Sequence, residues 1–102
     1  MELEKPNLTK GKRYTIEMYP YEIIVKAKYL GLSKTKEHVF GMGSDAFILA
    51  EDHWIMETNG IVSYNPVSSS YMRALRKDYI EKSPEKEKSR LTRILTDVGV
   101  KL

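Results

Sequence analysis

Residues 20–33 read Pro20-Tyr21-Glu22-Ile23-Ile24-Val25-Lys26-Ala27-Lys28-Tyr29-Leu30-Gly31-Leu32-Ser33, and the fold class turns on whether this stretch is helix or strand. Pro20 has the fixed φ that suits the first position of a helix. Ile23, Ile24, Ala27 and Leu30 follow at helical spacing, and Glu22 lies where a first-turn carboxylate favours the N-terminal end of a helix dipole. Gly31 suits the left-handed residue that closes a helix, with Leu32 packing back over it. The spacing predicts a helix ending at Leu30. A second, shorter helix follows, capped by Ser33 and running through Phe40 until Gly41-Met42-Gly43 breaks it.

Upstream, Arg13 to Tyr19 alternates, with Tyr14, Ile16 and Met18 on one side and Thr15 and Glu17 on the other. That is the pattern of a half-buried strand. Leu3 to Leu8 reads as an edge strand, because Pro6 has no N–H to give to a central ladder. Downstream, Ser44 to Asp52 fits either a short capped helix or a buried strand, since so short an apolar run has no period to decide it. Trp54 to Tyr64 holds Asn59-Gly60 between two β-prone runs, and both turn residues tolerate the positive φ of a type I′ hairpin. Asn65-Pro66 then reads as cap and first residue of a helix with Val67, Tyr71, Leu75 and Tyr79 on one face. Ser83-Pro84 repeats that chemistry ahead of Leu91, Ile94, Leu95 and Val98, which share a helical face, and Gly99 ends the run.

Residues 13–43 and 55–102 thus follow the same order of strand, proline, helix and Ser-started second helix. The expected fold is α+β: a single small domain, residues 1–102, made of two similar strand–helix–helix units with a β-hairpin at Asn59-Gly60. Neither unit buries its apolar face alone, so the two would pack about a pseudo-twofold axis, with a groove at the seam. Tyr19, Tyr21, Tyr64 and Tyr71 fall at the strand–helix junctions, where tyrosine supplies contact area with a polar tip. They are the candidate lining of a groove that binds a protein or peptide.

Composition narrows the chemistry. The 102 residues suit one domain. With no cysteine there is no disulfide, thiolate zinc site, iron–sulfur cluster or cysteine nucleophile. The chain has no glutamine and is rich in lysine and glutamate, a tendency of hyperthermophile proteins. Its net charge of +3 permits a nucleic-acid partner without requiring one. The longest apolar run, Ala46 to Ala50, is far short of the roughly 20 residues of a membrane span. No signal peptide is visible at the N-terminus, so an intracellular protein without a membrane partner is expected.

No catalytic constellation emerges. His38 and His53, the latter beside Asp52 and near Glu51, lack the spacing of a metal site. Ser68-Ser69-Ser70 has no base beside it, and Gly41-Met42-Gly43 lacks the third glycine and the lysine of a phosphate loop. The reading is a non-catalytic protein with no metal and no cofactor. An unpaired strand at Leu3–Leu8 or Arg13–Tyr19 offers a route to a homodimer.

Two resemblances complete the reading. Ala27-Lys28-Tyr29-Leu30-Gly31-Leu32-Ser33 resembles the centre of a helix-turn-helix, in which Gly31 makes the turn and Ser33 caps the recognition helix. That resemblance implies an alternative function, a small DNA-binding protein with Lys34, Lys36 and His38 toward phosphates or base edges. It departs from the pattern at Glu37, a position usually apolar, and at Gly41, where the helix stops early. The whole chain, through its ending Arg90-Leu91-Thr92-Arg93-Ile94-Leu95-Thr96-Asp97-Val98-Gly99-Val100-Lys101-Leu102, resembles the small proteins of filamentous viruses of hyperthermophilic archaea. This implies a location in the cytoplasm of an infected host cell and transfers no functional residue.

Overall fold

The stretch that decides the fold is a strand. In the computed structural model, which describes residues 8–18, 23–51, 55–64 and 72–101, Ile23–Leu32 forms β2 and lies antiparallel to β1 (Arg13–Met18). Their register runs from Arg13 opposite Lys28 to Met18 opposite Ile23. Val25, Ala27 and Tyr29 belong with one apolar cluster, while Ile24, Lys26 and Lys28 are exposed. The helical spacing misleads because it mixes the two faces of the strand, Ala27 on one and Ile24 and Leu30 on the other. Tyr29 pairs with Phe40, but Gly31 pairs with Val39, so Leu30 is an extra residue in the ladder. Alternation holds through Leu30, which packs with the opposite cluster, and the bulge then sets Gly31 on that same side, against Val98. The β-branched run Ile23-Ile24-Val25 suits the pleated surface better than a helix.

The predicted second helix is also absent. Residues 33–36 form a tight turn into β3 (Glu37–Gly41). The Ser33 amide donates to the Glu37 carbonyl at 2.8 Å, and the Glu37 amide donates back to the Ser33 hydroxyl at 3.0 Å. Ser33 and Thr35 donate their hydroxyls to the Glu37 carboxylate. The capping chemistry expected of Ser33 is therefore real, but it closes a strand turn instead of a helix. The helix-turn-helix reading loses both of its helices.

Ala46–Glu51 is β4, which resolves the ambiguous segment as a strand buried on both sides. Ile55–Thr58 (β5) and Ile61–Tyr64 (β6) form the expected hairpin, with φ of 52° at Asn59 and 83° at Gly60. Met72–Arg76 is β7, where the sequence pattern had predicted helix. The chain then enters α1 (Lys77–Lys82) and α2 (Glu85–Asp97). The seven strands form one mixed sheet in the order β5-β6-β1-β2-β3-β4-β7, with β6 and β1 parallel. The two predicted strand–helix–helix units are not built, because described residues 13–43 hold three strands and no helix. The pseudo-twofold seam goes with them. β1 is flanked by β2 and β6, so it offers no open edge for a homodimer. The predicted edge strand at Leu3–Leu8 lies outside the described residues except for Leu8, which packs against the first cluster.

Apolar side chains fill both faces of the sheet. One face gathers Tyr14, Ile16, Ala27, Tyr29, Phe40, Ile48, Ala50 and Val62. There the rings of Tyr14 and Phe40 meet edge-on at 6.4 Å, and Tyr29 lies 5.2 Å from Phe40. The other face puts Val39, Phe47, Leu49 and Leu75 under Ile80 of α1 and Leu91, Ile94 and Leu95 of α2. The apolar stripe of α2 is the one the sequence predicted. Its end is a Schellman motif: the Gly99 amide donates to the Thr96 carbonyl at 3.0 Å and the Val100 amide to the Leu95 carbonyl at 2.9 Å. Among the described residues no helix is long and apolar enough to cross a membrane.

Candidate functional site

Of the residues singled out from sequence as site candidates, the structure describes Tyr64, Lys34, Lys36 and His38. Tyr19, Tyr21 and Tyr71 lie outside the described residues, as do His53 and Trp54, and Tyr64 ends β6. Lys34 and Lys36 are exposed in the turn between β2 and β3, where the Lys34 amide donates to Asp97 at 3.0 Å. His38 is buried with only 4% of its surface exposed, and its Nδ1 shares a 2.8 Å hydrogen bond with the Tyr29 hydroxyl. The turn at residues 33–36 separates these three. A helix would have presented Lys34 and His38 on one side, whereas here two are in a surface turn and the third faces the core.

A different feature stands open. The sheet ends at β7, which pairs with β4 on one side, Leu49 opposite Arg73 and Phe47 opposite Leu75. No described strand pairs with its outer edge. The ladder continues one step beyond the strand, through a 2.8 Å bond from the Lys77 amide to the Asp45 carbonyl. The chain then turns straight into α1, with Arg76 still extended at φ −95°, ψ 150°. Leu75 is drawn under the helices, which leaves α1 beside the strand it follows.

Between β7 and α1 runs an open groove of about 630 Å³, lined by Arg73, Ala74, Leu75, Arg76, Asp78, Tyr79 and Lys82. Arg73 is held in place. One guanidinium nitrogen is 3.1 Å from the Glu87 carboxylate and the other donates to the Tyr79 hydroxyl at 2.6 Å. Its charge also lies 5.3 Å from the centre of the Tyr79 ring. Arg90 stands 4.0 Å from the same carboxylate. Arg76 and Lys82 have no ion pair among the described residues. The groove therefore combines three cations with one carboxylate, Asp78, along a strand whose outer backbone groups face away from the sheet.

Such an edge can accept another extended chain through main-chain hydrogen bonds. Its cations repel a second copy of the same edge and attract an acidic strand. Sequence reasoning missed this site because the spacing of Tyr71, Leu75 and Tyr79 fits a helical face and hides the strand at Met72–Arg76. A heavy basic count from Arg73 onward was its only visible signal.

Elsewhere on the helix side, Glu37 and Glu51 are cross-strand partners beside Arg73 and Arg90, around a space of only about 10 Å³. That space has room for little more than a water. Among the described residues no group of three His, Cys, Asp or Glu side chains could hold a metal ion. Compared with known proteins, the chain matches no family model, no curated protein and no solved structure.

Proposed function

We propose that the protein is a non-catalytic interaction module that captures an extended, acidic segment of a partner protein by strand addition along β7. The reading is carried by the outer edge of β7, which no described strand pairs and which opens onto a groove bearing Arg73, Arg76 and Lys82. Main-chain bonds supply the affinity in this mode, and side chains that reach the cations supply the preference. Tyr79, 45% exposed, offers a ring at the lip of the groove for an apolar residue of the same segment.

Two labelled peptides test it, one alternating glutamate with valine and one alternating lysine with valine. The acidic peptide binds, the basic one does not, and the Arg76→Glu/Lys82→Glu variant loses the acidic peptide while gaining the basic one. The outward-facing amides of Met72, Ala74 and Arg76 become protected from hydrogen exchange when the acidic peptide is present. Equal binding of both peptides, or protection at β5 in place of β7, would refute this assignment.

A further inference from the structure

The helices cover the sheet over β3, β4 and β7, but on that same side the described structure leaves β1 and the first half of β2 bare. Ladder register decides what this bare area displays. Arg13 stands directly opposite Lys28, and Thr15 directly opposite Lys26. Lys26 and Lys28 are two residues apart on one strand, roughly 7 Å. Arg13, Lys26 and Lys28 are all exposed, and none of them has an ion pair among the described residues. Glu17, opposite Ile24, is the one carboxylate that the same face of these two strands carries. Like charges directly opposite one another destabilise a sheet. The register nevertheless sets three cations in one cluster, and a polyanion laid across them relieves their repulsion.

The neighbouring residues select among polyanions. β1 and the paired part of β2 have no open edge, so an acidic peptide gains no main-chain bonds here. What the face offers is cationic side chains, the Thr15 hydroxyl, and two exposed apolar side chains beyond the charges. Ile24 is 65% exposed and Ile61, paired alongside Thr15, is 40% exposed. Phosphates match the cations, and unstacked bases match the isoleucines. A duplex keeps its bases stacked and would leave both isoleucines in water. We infer that this face of β1 and β2 binds single-stranded nucleic acid, with phosphates on Arg13, Lys26 and Lys28 and bases against Ile24 and Ile61. The site is separate from the β7 groove and does not depend on it.

Binding of this kind is dominated by released counterions. Three phosphate contacts to a single strand give a slope of log K against log salt of about −2. The test is fluorescence anisotropy of labelled oligothymidylate titrated at several salt concentrations. The expected result is binding with that slope, loss of binding in Lys26→Glu/Lys28→Glu, and unchanged binding in Arg76→Glu/Lys82→Glu. Ile24→Ser should weaken binding severalfold without changing the slope. Thermal melting confirms that each variant is folded. The inference fails if no binding occurs at low salt, or if the β7 variant loses binding while the β1–β2 variant keeps it. It also fails if duplex DNA, polyglutamate or phosphatidylserine vesicles bind this face as well as the oligonucleotide does.

Discussion

Replacing Gly31 by alanine tests the bulge in β2. Gly31 has φ of +138°, a conformation that residues with a side chain rarely adopt. Holding alanine there costs on the order of 1–3 kcal/mol. A Cβ at this position would also stand 3.3 Å from Val98 Cγ1 and 3.6 Å from Val98 Cβ. The closer distance is inside ordinary carbon contact, and relieving it adds about 1 kcal/mol. Alanine recovers roughly 0.4–1 kcal/mol by restricting the unfolded chain. The net expectation is a loss of about 1–3 kcal/mol, measured by guanidinium unfolding followed by far-UV circular dichroism. Val98→Ala alone removes buried methyl groups and costs about 1.5 kcal/mol. In the double variant the steric part of the Gly31 penalty disappears, so the two changes together cost about 1 kcal/mol less than their sum. A loss below about 0.5 kcal/mol for Gly31→Ala would refute the backbone argument, given the size of the strain it invokes. Strict additivity would refute the placement of Val98 over the bulge.

Three further outcomes follow from the same structure. Phe40 is fully buried between Tyr14 and Tyr29, and Phe40→Ala should cost about 3–5 kcal/mol by denaturant unfolding. Lys28→Glu converts the repulsive pair with Arg13 into an attractive one and should raise stability by about 0.2–1 kcal/mol at low salt, a gain that added salt erodes. Ser33→Ala removes a 3% exposed hydroxyl that accepts from the Glu37 amide and donates to its carboxylate, and should cost about 1–2 kcal/mol. Faster hydrogen exchange at the Glu37 amide is the accompanying signature.

Little of either candidate site is legible in the linear chain. The β7 groove needs a five-residue strand to reach the sheet edge and α1 to fold back beside it, and neither event has a local signal. The β1–β2 face needs Arg13 and Lys28 to meet, which only pairing register decides. The tyrosines that drew attention in the sequence owe it to prolines read as helix starts. Tyr29 belongs to the core, bonded to the buried His38.

By itself the sequence determined the features whose physics is local. Alternation marked β1, because a half-buried strand next to solvent must alternate. Asn59-Gly60 marked the hairpin, because few other pairs accept two positive φ angles. Leu91, Ile94, Leu95 and Val98, followed by Gly99, marked α2, because a helix makes its hydrogen bonds four residues apart and closes with a left-handed residue. Only the tertiary structure decided β2, β3, β4 and β7. Their hydrogen bonds go to distant partners, and the core strands β3 and β4 are buried on both faces, so their patterns lose the alternation that announces a strand. In β2 the apolar Ile24 and Leu30 lie on the face opposite Ala27, so the helical spacing there mixes the two sides of the sheet. A strand of that kind is defined by its neighbours, and the neighbours exist only once the sheet has formed.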